Sequence, residues 1–189
     1  MLAPFVLGVR IVIDKLAVLN PFAKLPDEET AARAARAGAV GAWLTAVGSV
    51  IGAAMIFFRF DTYLAKMREA ALADSAGRDP AVTQAVLATM GPTMAWATIG
   101  FTIAIGLVYV WLGVVQWRRL TRMIPLMMLL FAAYGLLTTA LGLAGGKAVM
   151  GLVVPLQIAF SLLLSTVALL CFIAGTRGGF RLQALRKAG

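Results

Sequence analysis

Four stretches of the chain, residues 38–58, 93–117, 123–144 and 149–174, contain no aspartate, glutamate, lysine, arginine or histidine. Each meets the roughly 20 apolar residues that carry a helix across a hydrocarbon layer of about 30 Å. In that layer every peptide group has to be satisfied within the chain, which a helix does by itself. The pattern predicts an all-α integral membrane protein whose four transmembrane helices form an antiparallel bundle. Composition agrees: hydrophobic residues make up 61% of the chain and charged residues 13%, against about 45–50% and 25% in soluble domains.

The remaining charges lie mostly between these stretches, and their distribution predicts orientation. Arg10, Lys15, Lys24, Arg33 and Arg36 precede the first span; Arg118, Arg119 and Arg122 separate the second from the third; Arg177, Arg181, Arg186 and Lys187 follow the fourth. With four spans these segments share one side, and they hold twelve of the 17 basic residues. On the other side Arg59, Lys66, Arg68 and Arg78 are balanced by Asp61, Glu69, Asp74 and Asp79, with Lys147 in the last loop. Positively charged loops stay in the cytoplasm, so both termini are expected there. Arginine outnumbers lysine amid abundant alanine and glycine, which points to a GC-rich bacterial genome and so to a multi-pass protein of a bacterial inner membrane.

No acidic residue follows Asp79, so Arg118, Arg119, Arg122, Arg177 and Arg181 belong to an uncompensated cytoplasmic patch. Anionic lipid headgroups attract such clusters by about 1 kcal/mol per basic residue, and lipid contact is their expected role. The loops lack the interleaved aromatic residues that stack bases, so nucleic acid is not an expected partner.

Two parts are expected: residues 1–26, a cytoplasmic-side interfacial helix and linker, and residues 27–189, the four-helix domain. The first 22 residues are apolar enough to resemble a fifth span. Arg10, Asp14 and Lys15 interrupt them, however, each at a cost of about 2.5–3.5 kcal/mol at bilayer centre. A secretory signal would carry its positive charge before the apolar stretch. An amphipathic helix from Phe5 to Leu19 lying at the interface, packed on the bundle or on another subunit, fits better. Asp27 is then an N-cap, with Glu28 and Glu29 in the first turn, for a helix running through Phe58. In the outer loop, residues 59–92, Asp61 can cap a helix to about Leu72 and Asp79-Pro80 can open another to about Met90, giving a short helical hairpin. The other two connections, around residues 118–122 and 145–147, are short enough to predict consecutive hairpins of spans two, three and four. Residues 175–189 form a cytoplasmic tail.

Gly48 and Gly52 form a GxxxG pair in the first span, and Gly41 and Thr45 repeat its spacing. Small residues four apart let membrane helices approach closely. Gly41, Thr45, Gly48 and Gly52 are therefore the candidate packing or partner interface. The fourth span carries Gln157, Ser161 and Ser165 at steps of four. With Tyr134 of the third span they form a candidate polar stripe, serving either as interhelical glue or as the wall of a ligand cavity.

Candidates for catalysis are few. With no histidine in the chain there is no imidazole base, and no carboxylate lies inside a span to relay protons. Cys171 is a lone thiol in an apolar stretch and makes no zinc site. The outer-loop acids lack the spacing of a calcium loop. No catalytic residue, cofactor or metal is expected. The sequence is read as a non-catalytic small tetraspan protein, an accessory, assembly or stabilising subunit whose partners are other membrane subunits or itself. The alternative is a small oligomeric transporter or channel-like protein, or a lipid- or quinone-binding protein, built on the polar stripe.

Overall fold

The computed structural model describes Asn20 and residues 24–74, 79–89, 91–144 and 155–188. The interfacial helix expected over Phe5–Leu19 lies outside the described residues. Six helices account for nearly all of the rest: α1 (Glu28–Phe58), α2 (Phe60–Asp74), α3 (Pro80–Thr89), α4 (Pro92–Arg119), α5 (Met123–Ala144) and α6 (Pro155–Ala188). There is no strand among the described residues. Four of the helices, α1, α4, α5 and α6, are long and apolar enough to cross a membrane.

Local chemistry sets the ends of these helices. Asp27 caps α1: its Oδ1 accepts the Thr30 N–H at 2.8 Å, and the Thr30 hydroxyl oxygen accepts the Asp27 N–H at 3.4 Å. Glu29 and Arg33 pair one turn apart, the favourable order for an acid ahead of a base. Pro92 opens α4 immediately after an extended Gly91, because a proline in the first turn loses no helical bond. Leu120 ends α4 in the left-handed region at φ 50°, its N–H donating to the Gln116 carbonyl at 2.9 Å. That conformation costs leucine about 1–2 kcal/mol, and it reverses the chain over residues 120–122 into α5.

The first span, whose place in the bundle the loops leave open, is the central helix. Its buried residues, Ala31, Ala34, Ala35, Gly38, Ala39, Gly41, Ala42, Ala46 and Ala53, are all alanine or glycine. Such a surface has no side chain larger than a methyl group to hold a neighbour away, and α6 and α4 both pack closely on it. A methyl group on Gly175 of α6 would lie 2.6 Å from the Gly38 Cα, and one on Gly178 would lie 2.3 Å from the Ala35 amide nitrogen. Toward the middle of the span, Gly41 is covered by Phe172 and Cys171. On the α4 side, a methyl on Gly113 would meet the Trp43 indole at 2.4 Å, and one on Gly106 would meet the Ser49 Cβ at 3.3 Å. Ile99, Gly106 and Gly113 are seven residues apart and buried, so they stay on one face of α4.

α5 joins the bundle through α6 rather than through α4. Pro125 packs against Gly38 and Gly175, and Arg122 backbone covers Gly179. Met128 completes a core with Ala42, Ala168 and Phe172. The hairpin expected between spans two and three is thus an open one. α4 and α5 leave a short turn together, and an apolar cleft lined by Ile105, Val108, Leu112, Met127 and Phe131 separates them. The reason lies in α1, whose small residues draw α4 to one side while α6 and α5 gather on the other.

Both ends of the bundle are aromatic. Phe57, Phe58, Phe60 and Trp96 contact one another at the α2 end. At the other, basic end Trp43 and Trp117 lie 5.5 Å apart and Arg36 sits 5.6 Å over the Trp117 ring. In any span, at most 33% of the most apolar window is buried within the chain. Much of the rest is exposed, including Phe101, Leu107 and Trp111 on α4.

Candidate functional site

Close packing of α1 on α6 is confined to the basic half of the pair. Farther along, a methyl on Gly48 would meet only the Leu164 Cδ1 at 4.0 Å, and one on Gly52 would meet nothing within 4 Å. The two helices there border a groove of about 280 Å³, floored by Gly48 and Gly52 and walled by Leu44, Thr45, Ser49 and Met55 of α1 and Phe160, Ser161, Leu164 and Ser165 of α6. The Thr45 hydroxyl donates to the Gly41 carbonyl at 3.0 Å and the Ser49 hydroxyl to the Thr45 carbonyl at 3.1 Å. These bonds use the hydroxyl hydrogens and leave each oxygen able to accept another.

Thr45, Ser161 and Ser165 also line a smaller cavity of about 130 Å³ in the middle of the bundle. Tyr109 of α4, Gly135 and Thr139 of α5 and Phe172 of α6 are also in its wall. The Thr139 hydroxyl donates to the Gly135 carbonyl at 2.8 Å. Groove and cavity share three hydroxyl residues and are lined without an aspartate, glutamate, lysine or arginine. Such a surface can exchange hydrogen bonds with a neutral group or with a helix backbone.

The interface and stripe residues separate accordingly. Gly41 is used inside the bundle, Gly48 and Gly52 face the groove, and Thr45 borders both spaces. Ser161 and Ser165 come together with Thr45. Tyr134 does not join them: it is 68% exposed and stands on the outer surface of α5. Gln157 lies on α6, but its side chain lies outside the described residues.

A more informative amide is Gln116. It is fully buried, its Nε2 donates to the Ala35 carbonyl at 3.1 Å, and its Oε1 accepts the Thr121 hydroxyl at 3.1 Å. One side chain thus ties α4, α1 and the following turn together. Its position one residue before Trp117, at the end of an apolar run, resembles that of a solvated boundary residue. Only the three-dimensional placement distinguishes the two.

The arginines at the basic end have several roles. Arg177 donates to the Asn20 carbonyl at 2.9 Å and Arg181 to the Leu25 carbonyl at 3.0 Å. Arg186 reaches Glu28 at 3.2 Å. The last turns of α6 therefore hold the segment that leads into α1. Arg122 lies 5.0 Å over the Phe180 ring. Arg118 and Arg119 are exposed in the last turn of α4, where positive charge complements the helix dipole. No protein-family model, curated protein or solved structure matches the chain.

Proposed function

We propose that this protein is a non-catalytic membrane subunit that assembles with, or stabilises, a larger membrane complex by docking a transmembrane helix in the groove between α1 and α6. The observation that carries this reading is the open floor at Gly48 and Gly52, where a methyl on Gly52 has no neighbour within 4 Å. Lipid supplies no hydrophobic drive between helices, so association depends on close backbone approach and on interhelical hydrogen bonds. The groove offers both, through two glycines and the hydroxyls of Thr45, Ser49, Ser161 and Ser165. In this reading the four spans form an antiparallel bundle in a bacterial inner membrane. The contacts of Gly38 with Gly175 and of Ala35 with Gly178 support opposite directions for α1 and α6. Both termini face the cytoplasm, as the loop charges favour, and the exposed Arg118 and Arg119 rest on anionic headgroups.

The hydroxyl-lined cavity behind the groove favours a second reading, in which the same face admits a small neutral ligand. Affinity purification of the tagged full chain in mild detergent, followed by native mass spectrometry, separates the two. A stoichiometric second membrane protein, or a second copy, lost on Gly52→Leu supports the subunit reading. A monomer retaining a small molecule that the same substitution displaces supports the ligand reading and overturns the first.

A further inference from the structure

At the basic end a pocket of about 410 Å³ opens between the α4–α5 turn and the last turns of α6, lined among others by Thr121, Arg122, Gln183 and Arg186. No acidic residue lines it, and two arginines from different elements do. Both are held in place: Arg122 lies over the Phe180 ring and Arg186 is paired with Glu28. Met123 borders this pocket and also the cleft of about 440 Å³ between α4 and α5. That cleft runs from Met123 and Ile124 to Met127 and Phe131 along α5, faced by Val108 and Leu112 of α4. A polar, positive chamber therefore adjoins an apolar slot running into the span.

We propose that the two form one site for a single anionic phospholipid. Its phosphate sits between Arg122 and Arg186 with Gln183 donating, and one acyl chain lies in the α4–α5 cleft. Guanidinium groups match phosphate oxygens in geometry as well as charge, and basic pockets between membrane helices hold lipid headgroups in the same way. The occupant is a lipid rather than a free anion because the apolar slot adjoins the phosphate pocket at Met123. The lipid closes the gap that the small-residue packing of α1 leaves between α4 and α5. The proposal deepens the anionic-lipid part of the functional reading and rests on it. It is independent of the groove at Gly48 and Gly52.

The test is native mass spectrometry of the full chain extracted from vesicles of phosphatidylcholine with phosphatidylglycerol, with thermal unfolding followed by circular dichroism as a check on folding. Wild type is expected to retain one phosphatidylglycerol in preference to phosphatidylcholine. Arg122→Gln with Arg186→Gln should reduce that retention about tenfold, while Arg118→Gln with Arg119→Gln should leave it within about twofold. Because Arg186 also holds Glu28, a second variant, Met127→Trp, fills the cleft without changing charge and should reduce retention similarly. Equal losses in both arginine pairs would overturn the site while leaving diffuse headgroup attraction standing. Retention unaffected by Met127→Trp, or competition by soluble glycerol phosphate as effective as by the lipid, would overturn the role of the cleft. No preference for phosphatidylglycerol would remove the site and the general lipid reading together.

Discussion

At the residue scale, glycines of similar appearance in the sequence have different roles. Gly178 of α6 is followed by a second glycine and Gly52 of α1 by an alanine, but one is pressed against backbone and the other faces open space. Gly178→Ala brings its methyl against the Ala35 nitrogen, the Ala31 oxygen and the Ala34 carbonyl carbon, none of which can move as a side-chain tip would. Overpacking of this kind costs about 1–3 kcal/mol. Gly178→Ala is accordingly expected to lower the thermal midpoint in detergent, and Gly52→Ala to leave it unchanged. Equal effects would show that the groove is closed in solution. Gln116→Leu leaves the Thr121 hydroxyl without its acceptor and removes the tie to Ala35, at a cost of about 1–3 kcal/mol; chemical unfolding of the reconstituted protein measures it. Small-residue content was readable from the chain. Which glycine meets backbone was not, because that depends on the register between α1 and α6.

At the element scale, helix α1 was the easiest to read and the hardest to place. Its cap, first-turn acids and unbroken run to Phe58 are local features, so its bounds follow from residues near in sequence. Its central position depends on its buried face of alanine and glycine, which accepts a neighbour on each side. Short connections were a poorer guide. Three residues hold the start of α5 close to the end of α4, but cannot oblige the helices to stay together against stronger packing elsewhere. Fading hydropathy marks a boundary after Ala174, whereas α6 continues to Ala188 because its tail packs on the first turns of α1. The cap of α1 yields a pH test. The Thr30 backbone N–H, then its hydroxyl, holds the Asp27 carboxyl below its usual range. A depressed folded value stabilises the cap above the unfolded pKa and loses that effect as pH falls through the folded one. Protection of the first-turn amides of α1 against exchange, taken relative to the intrinsic rate at each pH, should therefore fall on acidification below the ordinary carboxylate range, and Asp27→Asn should remove that pH dependence. The same loss of protection in Asp27→Asn would assign it to another group.

At the scale of the whole molecule, the bundle is asymmetric. The basic end is tied by close helix packing, Gln116 and the arginines of α6, whereas the far half of the α1–α6 pair is parted by a groove. Tight packing at one end preorganises the open face at the other, since α1 and α6 can hold a fixed separation only if they are anchored somewhere. The sequence made the membrane class, the four spans and the hydroxyl stripe legible. It did not reveal that Ser161 and Ser165 would meet Thr45 while Tyr134 faced outward, because periodicity places residues on a face without naming the neighbour of that face. The most direct test is photo-cross-linking in native membranes from a benzophenone amino acid placed at Gly52, with Phe101 on the outer face of α4 as the comparison. A discrete protein adduct from position 52, with lipid labelling alone from position 101, is the result expected of a helix-docking groove. Lipid labelling alone from both positions would contradict it.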